Sequence, residues 1–311
     1  MDRLEKAARE GNFTEVAKIV GEPLDPLKPY PEVVALICDV DTTGVGVDLF
    51  SFDVDEDVKE VYILANNAAT ITSVQVTPAS PNTVPFNDIA SREYRFHLYD
   101  LYRAKYDVVG KKKNAITRSM DAKEIKMTLD VALTAVPGAN AHNGAADAKF
   151  KYPDLIDMIE DIMDYGDKFV LVAGASVWKD MILWDYDENK YRSLKEALED
   201  LGIERVRVSG TVKTDGGSAE ALLSKDKVLL VALNSITGKP VKFSRRELPG
   251  DFEGVKEEKD ATKQRVVIIS PAIMNVGSDR LPSVGAVGLE SIAIVATNSK
   301  CLSSFTKTYT P

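Results

Sequence analysis

Asp167-Lys-Phe-Val-Leu-Val-Ala-Gly-Ala-Ser-Val-Trp-Lys-Asp-Met-Ile-Leu-Trp184 is the stretch that decides how this chain is read. Residues 169–173 form an apolar run of the length of a buried strand. Gly174-Ala-Ser176 reads as a tight turn with Ser176 capping, and 176–185 as a helix carrying both tryptophans, Trp178 and Trp184. A strand-to-helix turn aims helix N–H groups at whatever lies beyond it, so a phosphate site is the first question. A P-loop would have more glycines and a Gly-Lys-Ser/Thr ending, and a dinucleotide fingerprint would have spaced glycines. Val177 and Trp178 follow instead. The segment therefore reads as scaffold, with Trp178, Met181 and Trp184 as a packing face and candidates for subunit contact.

Outward from this segment the pattern is clear on both sides. Pro153 opens a helix to Tyr165, with Leu155, Ile156, Ile159, Ile162 and Met163 inward and Gly166 ending it. A second helix is expected at 193–201, stopped by Gly202, and strands at 203–208, 227–233 and 241–244. Residues 150–245 thus alternate helix and strand, as in a compact α/β or α+β unit. Asn234-Ser-Ile-Thr-Gly-Lys-Pro240 reads as a turn into the last of these strands. Further upstream, Met120, Ile125, Leu129, Leu133 and Val136 recur at helical spacing, predicting a helix over 119–136 with Ser119 as N-cap and Pro137-Gly138 as stop.

The first third is less regular. A short amphipathic helix is expected at 3–20, followed by an extended arm set by Pro23, Pro26, Pro29 and Pro31. Residues 32–39 suit either a first strand or a short helix, and acids dominate 39–60. Residues 58–77, rich in Val, Ile and Thr, suit strands, and 78–85 a loop or edge. Residues 88–109 interleave Tyr94, Phe96, Leu98, Tyr99, Tyr102 and Tyr106 with basic residues, and a long hairpin with a polar interruption is expected. Strands at 266–270 and 291–297 find their partners among the early ones, so the chain leaves one domain and returns to it.

The formal charge of −9 argues against a dedicated nucleic-acid binder, although one basic patch is compatible with it. Cys38 and Cys301 are the only cysteines, which favours a reducing compartment over a disulfide scaffold. The acidic start of the chain does not resemble a secretory signal, and no apolar run is long enough to span a bilayer, so a soluble chain is expected. His97 and His142 have no cysteine or second histidine at metal spacing, and Asp53, Asp55 and Asp57 lack the ordered loop of a calcium hand. Asp154, Asp157, Glu160, Asp161 and Asp164 read as the solvated side of one helix. No metal, cofactor or catalytic residue is assigned. Arg92, Tyr94, Arg95, Phe96, Arg103, Lys105, Lys111, Lys112 and Lys113 form an aromatic-basic run that suits either base stacking or subunit contact. In an acidic chain, subunit contact is favoured.

In order, these pieces resemble the HK97-type major capsid proteins of tailed viruses. The specific match is Lys168-Phe-Val-Leu-Val-Ala-Gly-Ala-Ser-Val-Trp-Lys-Asp-Met181, similar to the family's strand, small-residue turn and Trp-containing helix. The resemblance implies an α+β fold with an N-terminal helix and arm at 1–32 and an extended E-loop at 61–111. It implies a peripheral (P) domain, with the long spine helix, from 33–60, 112–149 and 246–311, and an axial (A) domain at 150–245. The implied function is self-assembly, through pentamers and hexamers, into an icosahedral shell that encloses double-stranded DNA without reading its sequence. Scaffolding, portal and decoration proteins are the implied partners, and the virion, assembled in the host cytoplasm, the location. The chain has no long charged coiled segment at its start, and no residue pattern establishes Lys–Asn self-crosslinking, so noncovalent assembly is expected. The alternatives are an encapsulin-like cargo compartment, a tail or baseplate protein, and an α/β enzyme using the Gly174 turn.

Overall fold

The computed structural model describes residues 31–52, 82–97, 108–146, 148–187, 198–199, 201–213, 219–234, 238–248, 256–259, 265–276 and 279–308. The expected helix at 3–20, the proline arm, the strands at 58–77 and nearly all of the helix at 193–201 lie outside these residues. Elements are numbered in chain order: α1 (Glu32–Ile37), β1 (Cys38–Thr43), β2 (Leu49–Phe52), β3 (Asn82–Pro85), β4 (Asn87–Ala90), β5 (Tyr94–His97), α2 (Val108–Ala135) and β6 (Ala141–Asn143). These are followed by α3 (Tyr152–Ile162), β7 (Lys168–Ala173), α4 (Ala175–Asp187), β8 (Ile203–Arg207), β9 (Thr211–Lys213), β10 (Ala219–Ala221) and β11 (Lys227–Leu233). The last are β12 (Val241–Arg246), β13 (Lys256–Lys259), β14 (Arg265–Val276), β15 (Asp279–Ala296) and β16 (Leu302–Thr306). The fold class is α+β.

The stretch read first sits in a five-stranded sheet of order β6-β16-β11-β7-β8. Strand β7 is buried from Phe169 to Ala173 because both its faces are covered. Phe169, Leu171 and Ala173 pack with Leu155, Met158 and Ile162 of α3 and Val177 and Met181 of α4. The alternate residues, Val170 and Val172, join a second core with Leu129 and Ala132 of α2 and Val241 and Phe243 of β12. Strand β11 divides in the same way: Leu230 points to the first core, Leu229 and Val231 to the second. Period-two alternation on a sheet covered on both sides is why the sequence shows an unbroken apolar run.

The other large sheet has seven strands and is organised by β15. A strand has two edges, and the register assigns both. β14 lies along residues 279–290 of β15 and β12 continues the same edge along 291–296. β5 and β4 occupy the opposite edge, opposite residues 283–286 and 289–292. Residues 87–97 are therefore one interrupted strand beside β15, and the rest of the expected hairpin, 98–107, lies outside the described residues. β1 joins as the parallel partner of β12. The late strands at 266–270 and 291–297 do not pair directly with 33–77 as expected, but with β15, β12 and β4 among the described residues.

Two strands lie in a different sheet from the one their sequence neighbours suggest. β12, read together with 150–245, pairs with β1 and β15, because Val241 and Phe243 face the core beneath α2. β16, near the C-terminus, pairs with β11 and β6 in the five-stranded sheet, where Phe305 meets Phe150 edge-on with ring centres 4.9 Å apart.

Helix α2 begins eleven residues before its expected start at 119, and Ser119 is mid-helix, its hydroxyl donating to the Ala115 carbonyl at 2.8 Å. The Lys111-Lys-Lys113 run disguised this extension, yet the helix has packing there: Gly110, Lys113 and Ile116 are buried. Gly288 of β15 makes the approach feasible, since a Cβ there would lie 2.5 Å from Ile116 Cγ2 and 2.6 Å from Met120 Sδ. The region 32–39, ambiguous in sequence, is a helix followed directly by a strand.

Candidate subunit-contact surfaces

The turn at Gly174 is the position on which the enzymatic alternative depends. The N–H groups of Ser176 and Val177, in the first turn of α4, both donate to the Lys225 carbonyl, at 2.9 and 3.4 Å. Gly174 N–H donates to the Lys227 carbonyl at 2.9 Å, and a Cβ on Gly174 would lie 2.2 Å from the Ser224 carbonyl oxygen. The position of an anion is thus filled by the chain's own backbone. Ser176 does not cap the helix as expected; its hydroxyl accepts from Lys307 Nζ at 3.2 Å.

Lys307 also pairs with Asp180 at 2.7 Å, and the same Asp180 oxygen accepts the Phe150 N–H at 3.0 Å. Both side chains of the pair are over nine-tenths buried. This network ties α4 to the chain beyond β16 and to the entry of α3. Nothing at 307 marks it in sequence, because its partners are more than a hundred residues away. Trp178 is half-buried with the Arg205 guanidinium 5.5 Å from its ring centre. Met181 is wholly buried, so it belongs to the core and not to an outer face. Trp184 is on the same helix.

The aromatic-basic run is only partly an exposed surface. Arg92, Arg95, Lys111 and Lys112 are exposed; Arg95 pairs with Glu93 at 2.8 Å and Lys112 lies over the Tyr94 ring at 5.0 Å. Phe96 and Lys113 turn inward and are buried. Arg103 and Lys105 lie outside the described residues.

A further surface was missed. Val45, Val47 and Leu49 are exposed, by 52%, 39% and 47%, on the approach to and start of β2. Beside them Phe50 packs with Phe52 and Phe86 at ring-centre distances of 6.3 and 6.4 Å. Among the described residues β2 and β3 pair only with each other, and residues 53–81 connect them in sequence. Arg246 holds the base, within 3.4 Å of Asp48, 3.3 Å of Asp88 and 5.3 Å of the Phe86 ring centre. The signal was present as Val45-Gly-Val-Asp-Leu49, an alternating pattern hidden among acids.

Also missed was the pair joining α2 to the seven-stranded sheet. Glu124 and Arg245 are almost fully buried with a 2.6 Å contact. Glu124 stands four residues after Met120 and four before Thr128, on the inward stripe of α2, where a carboxylate calls for a partner. Cys38 lies in the same interior; burial pushes its thiol well above the ordinary value, with Asp39 and Glu124 adding to the rise and Lys239 and Thr128 opposing it.

The acids of α3 are not all solvated. Asp154 accepts the Lys151 N–H at 2.7 Å, and Asp161 accepts from Ser303 at 3.1 Å and contacts His142 Nε2 at 2.6 Å. Among the described residues no group of three or more His, Cys, Asp or Glu is placed to hold a metal ion.

No protein-family model matches the sequence, and no curated protein does. Solved structures do match, over nearly the whole chain. A chain from Mycobacterium phage Adephagia superposes with TM-score 0.58 at 12% identity, covering 96% of this chain and 99% of that one. The capsid of an empty GTA particle gives 0.52 at 11% identity, covering 92% and 94%. A virus-like particle from Pyrococcus furiosus gives 0.50 at 11% identity, covering 98% of each. The chain shares its fold with these phage, capsid and virus-like-particle chains.

Proposed function

We propose that this chain is a major capsid protein, which self-assembles into an icosahedral shell around double-stranded DNA. The observation that carries the reading is the end-to-end likeness to shell proteins, with coverage above nine-tenths on both sides in the matches described. Exposed apolar residues at the base of a long excursion from a small two-stranded sheet support it, since such a surface is completed by a neighbour. In this reading 1–32 is the N-terminal helix and arm, and 61–111 is the extended loop, its far end running into the spine helix α2. The remaining strands of the seven-stranded sheet, with α2 beyond residue 111, form the peripheral domain, against which β4 and β5 of the loop pair. The five-stranded sheet with α3 and α4 forms the axial domain, clustered around fivefold and sixfold axes in pentamers and hexamers. Arg92, Arg95, Lys111, Lys112 and Trp178 are contact residues between subunits, joined by Arg103, Lys105 and Trp184. Phe96 and Lys113 serve by shaping the interior behind them. Scaffolding, portal and decoration proteins are the further partners, and the particle assembles in the host cytoplasm.

Ordering an arm or loop costs about 1–2 kcal/mol per backbone residue, which contacts across subunits must offset. Assembly is noncovalent, and a ladder of covalent multimers on denaturing gels would contradict that part. Negative-stain microscopy of the purified chain tests the whole reading. Closed icosahedral shells are expected, with DNA inside particles recovered from the host. Shells filled with protein cargo and free of DNA would transfer the chain to the encapsulin-like class. Monomers that turn over phosphate esters would overturn the reading altogether.

A further inference from the structure

We infer that the outer surface shared by β8 and the first two turns of α4 docks onto α3 of a second copy of this chain. The inference rests on the capsid reading and deepens it by naming which surfaces meet where axial domains gather. Strand β8 closes one end of the five-stranded sheet and, among the described residues, pairs only with β7. Their register sets Ile203, Arg205 and Arg207 opposite Phe169, Leu171 and Ala173, so these side chains lie on the α4 side of the sheet. Ile203 is buried there, whereas Arg205 and Arg207 are exposed. Glu204 alternates with them and lies on the other side. On α4, Val177, Asp180 and Met181 are buried, Trp178 is half-buried, and Lys179 and Ile182 are exposed. The Arg205 guanidinium beside the Trp178 ring joins the two elements into one surface. Its middle is apolar, from Trp178 and Ile182, and its charges are the cations Lys179, Arg205 and Arg207.

The complement lies on α3 and the turn that follows it. Leu155, Met158 and Ile162 point into the core, and Asp161 is held by His142 and Ser303. Asp157, Glu160 and Asp164 are exposed at spacings of three and four residues, which puts them on one outward line. Residues 152–166 contain no lysine or arginine, so nothing on this element offsets the line, and Met163 stands exposed beside it. Among the described residues, none of Asp157, Glu160, Asp164, Lys179 and Arg207 forms a salt bridge. Helix α3 lies over β16 and β11, whereas α4 reaches β8 at the sheet's end, so each face needs its partner from outside the chain. A basic face meeting an acidic one is a heterologous contact, which builds a ring when the rotation closes. Like faces repel, and that fixes the order in which copies join.

The test uses the full chain, with association followed by analytical ultracentrifugation at low and high salt. Lys179→Glu/Arg207→Glu and Asp157→Lys/Glu160→Lys are each expected to need at least about tenfold more protein to associate at low salt. Mixing the two variants, one acidic on both faces and the other basic on both, is expected to restore association. A single chain carrying all four changes should associate as the parent does. Lys168→Glu, an exposed charge on the other side of the sheet, is expected to have no effect. If a reversal disturbs the fold by circular dichroism, Lys179→Gln/Arg207→Gln and Asp157→Asn/Glu160→Gln take its place. Their smaller loss at low salt should shrink further at high salt, where exposed charges are screened. Folded reversal variants that associate normally would overturn the inference, as would an equal loss in Lys168→Glu. So would a mixture that stays dissociated, since each face would then meet some other partner. Closed shells from the parent beside any of these results would leave the capsid reading standing. Rings joined by these faces without any shell would remove the capsid reading and keep the contact.

Discussion

The five-stranded sheet and the two-stranded pair β2–β3 handle apolar surface in opposite ways. In the first, every residue from Phe169 to Ala173 is buried, and each alternate side chain has its own core. In the second, Val45, Val47 and Leu49 remain exposed, and among the described residues the strands have no partner but each other. An isolated two-stranded pair is marginal in water. Here it is secured by the Phe50–Phe52–Phe86 cluster and by Arg246 at its base. On the capsid reading, the contrast separates what the chain completes by itself from what it leaves to a neighbour, and substitutions in the two regions should fail in different assays.

The largest loss of stability is expected at the self-sufficient end, where α2 meets the seven-stranded sheet. Glu124→Ala leaves the Arg245 guanidinium buried beside an empty space and should cost about 3–5 kcal/mol in urea unfolding. Replacing both partners by Leu and Met should recover most of that loss, because a packed apolar pair escapes the desolvation penalty. A double variant as unstable as Glu124→Ala would show that the pair contributes geometry that packing cannot replace. Next comes Gly174→Ala. Its Cβ would collide with the backbone at Ser224, not with a side chain that could swing away. A cost of about 1–3 kcal/mol is expected. Normal stability in that variant would mean that the 224–227 turn yields easily and that the close approach is not a constraint.

The Cys38 thiol gives a smaller effect that depends on pH. Burial raises its proton affinity above the ordinary value of 9.0, so the folded state keeps the proton after the unfolded chain has released it. Its contribution is fully present below pH 9 and declines as pH rises above it, by about 1.4 kcal/mol per pH unit. Cys38→Ala should remove that component, so the two stability–pH curves diverge only on the alkaline side. Curves that stay parallel between pH 9 and 10 would place the thiol in contact with solvent.

The same contrast explains what was legible in the sequence. The strand, turn and helix from Lys168 to Asp187 were readable because their pattern is local: an apolar run, small residues, then helical spacing. The fold class followed from the order of such pieces. The sheet membership of β12 and β16 was not readable, since Phe243 and Phe305 show that they are buried but not beside which strand. The start of α2 was obscured because Lys113 buries its aliphatic stem, which a sequence shows only as one more charge. Among the contact candidates, the sequence identified the basic aromatic run but could not turn Phe96 inward or bring Arg246 to Asp48 across nearly two hundred residues. Long-range pairs of this kind leave no spacing to detect.

The smallest effect on stability is predicted to coincide with the greatest effect on assembly. Val47→Ser and Leu49→Ser remove apolar area that the single chain already exposes to water. Surface changes of this sort usually stay within about 0.5 kcal/mol, so the urea midpoint should hardly move. If a neighbouring subunit covers these side chains, each buried one contributes about 1.5–3 kcal/mol per interface relative to exposure, and a shell repeats that interface many times. Light scattering should then show assembly delayed, or shifted to a higher protein concentration, in a chain that is otherwise intact. Leu171→Ser would unfold the chain before assembly could be asked about. Leu49→Ser asks only about assembly, and unchanged assembly would mean that the exposed strip is ordinary surface.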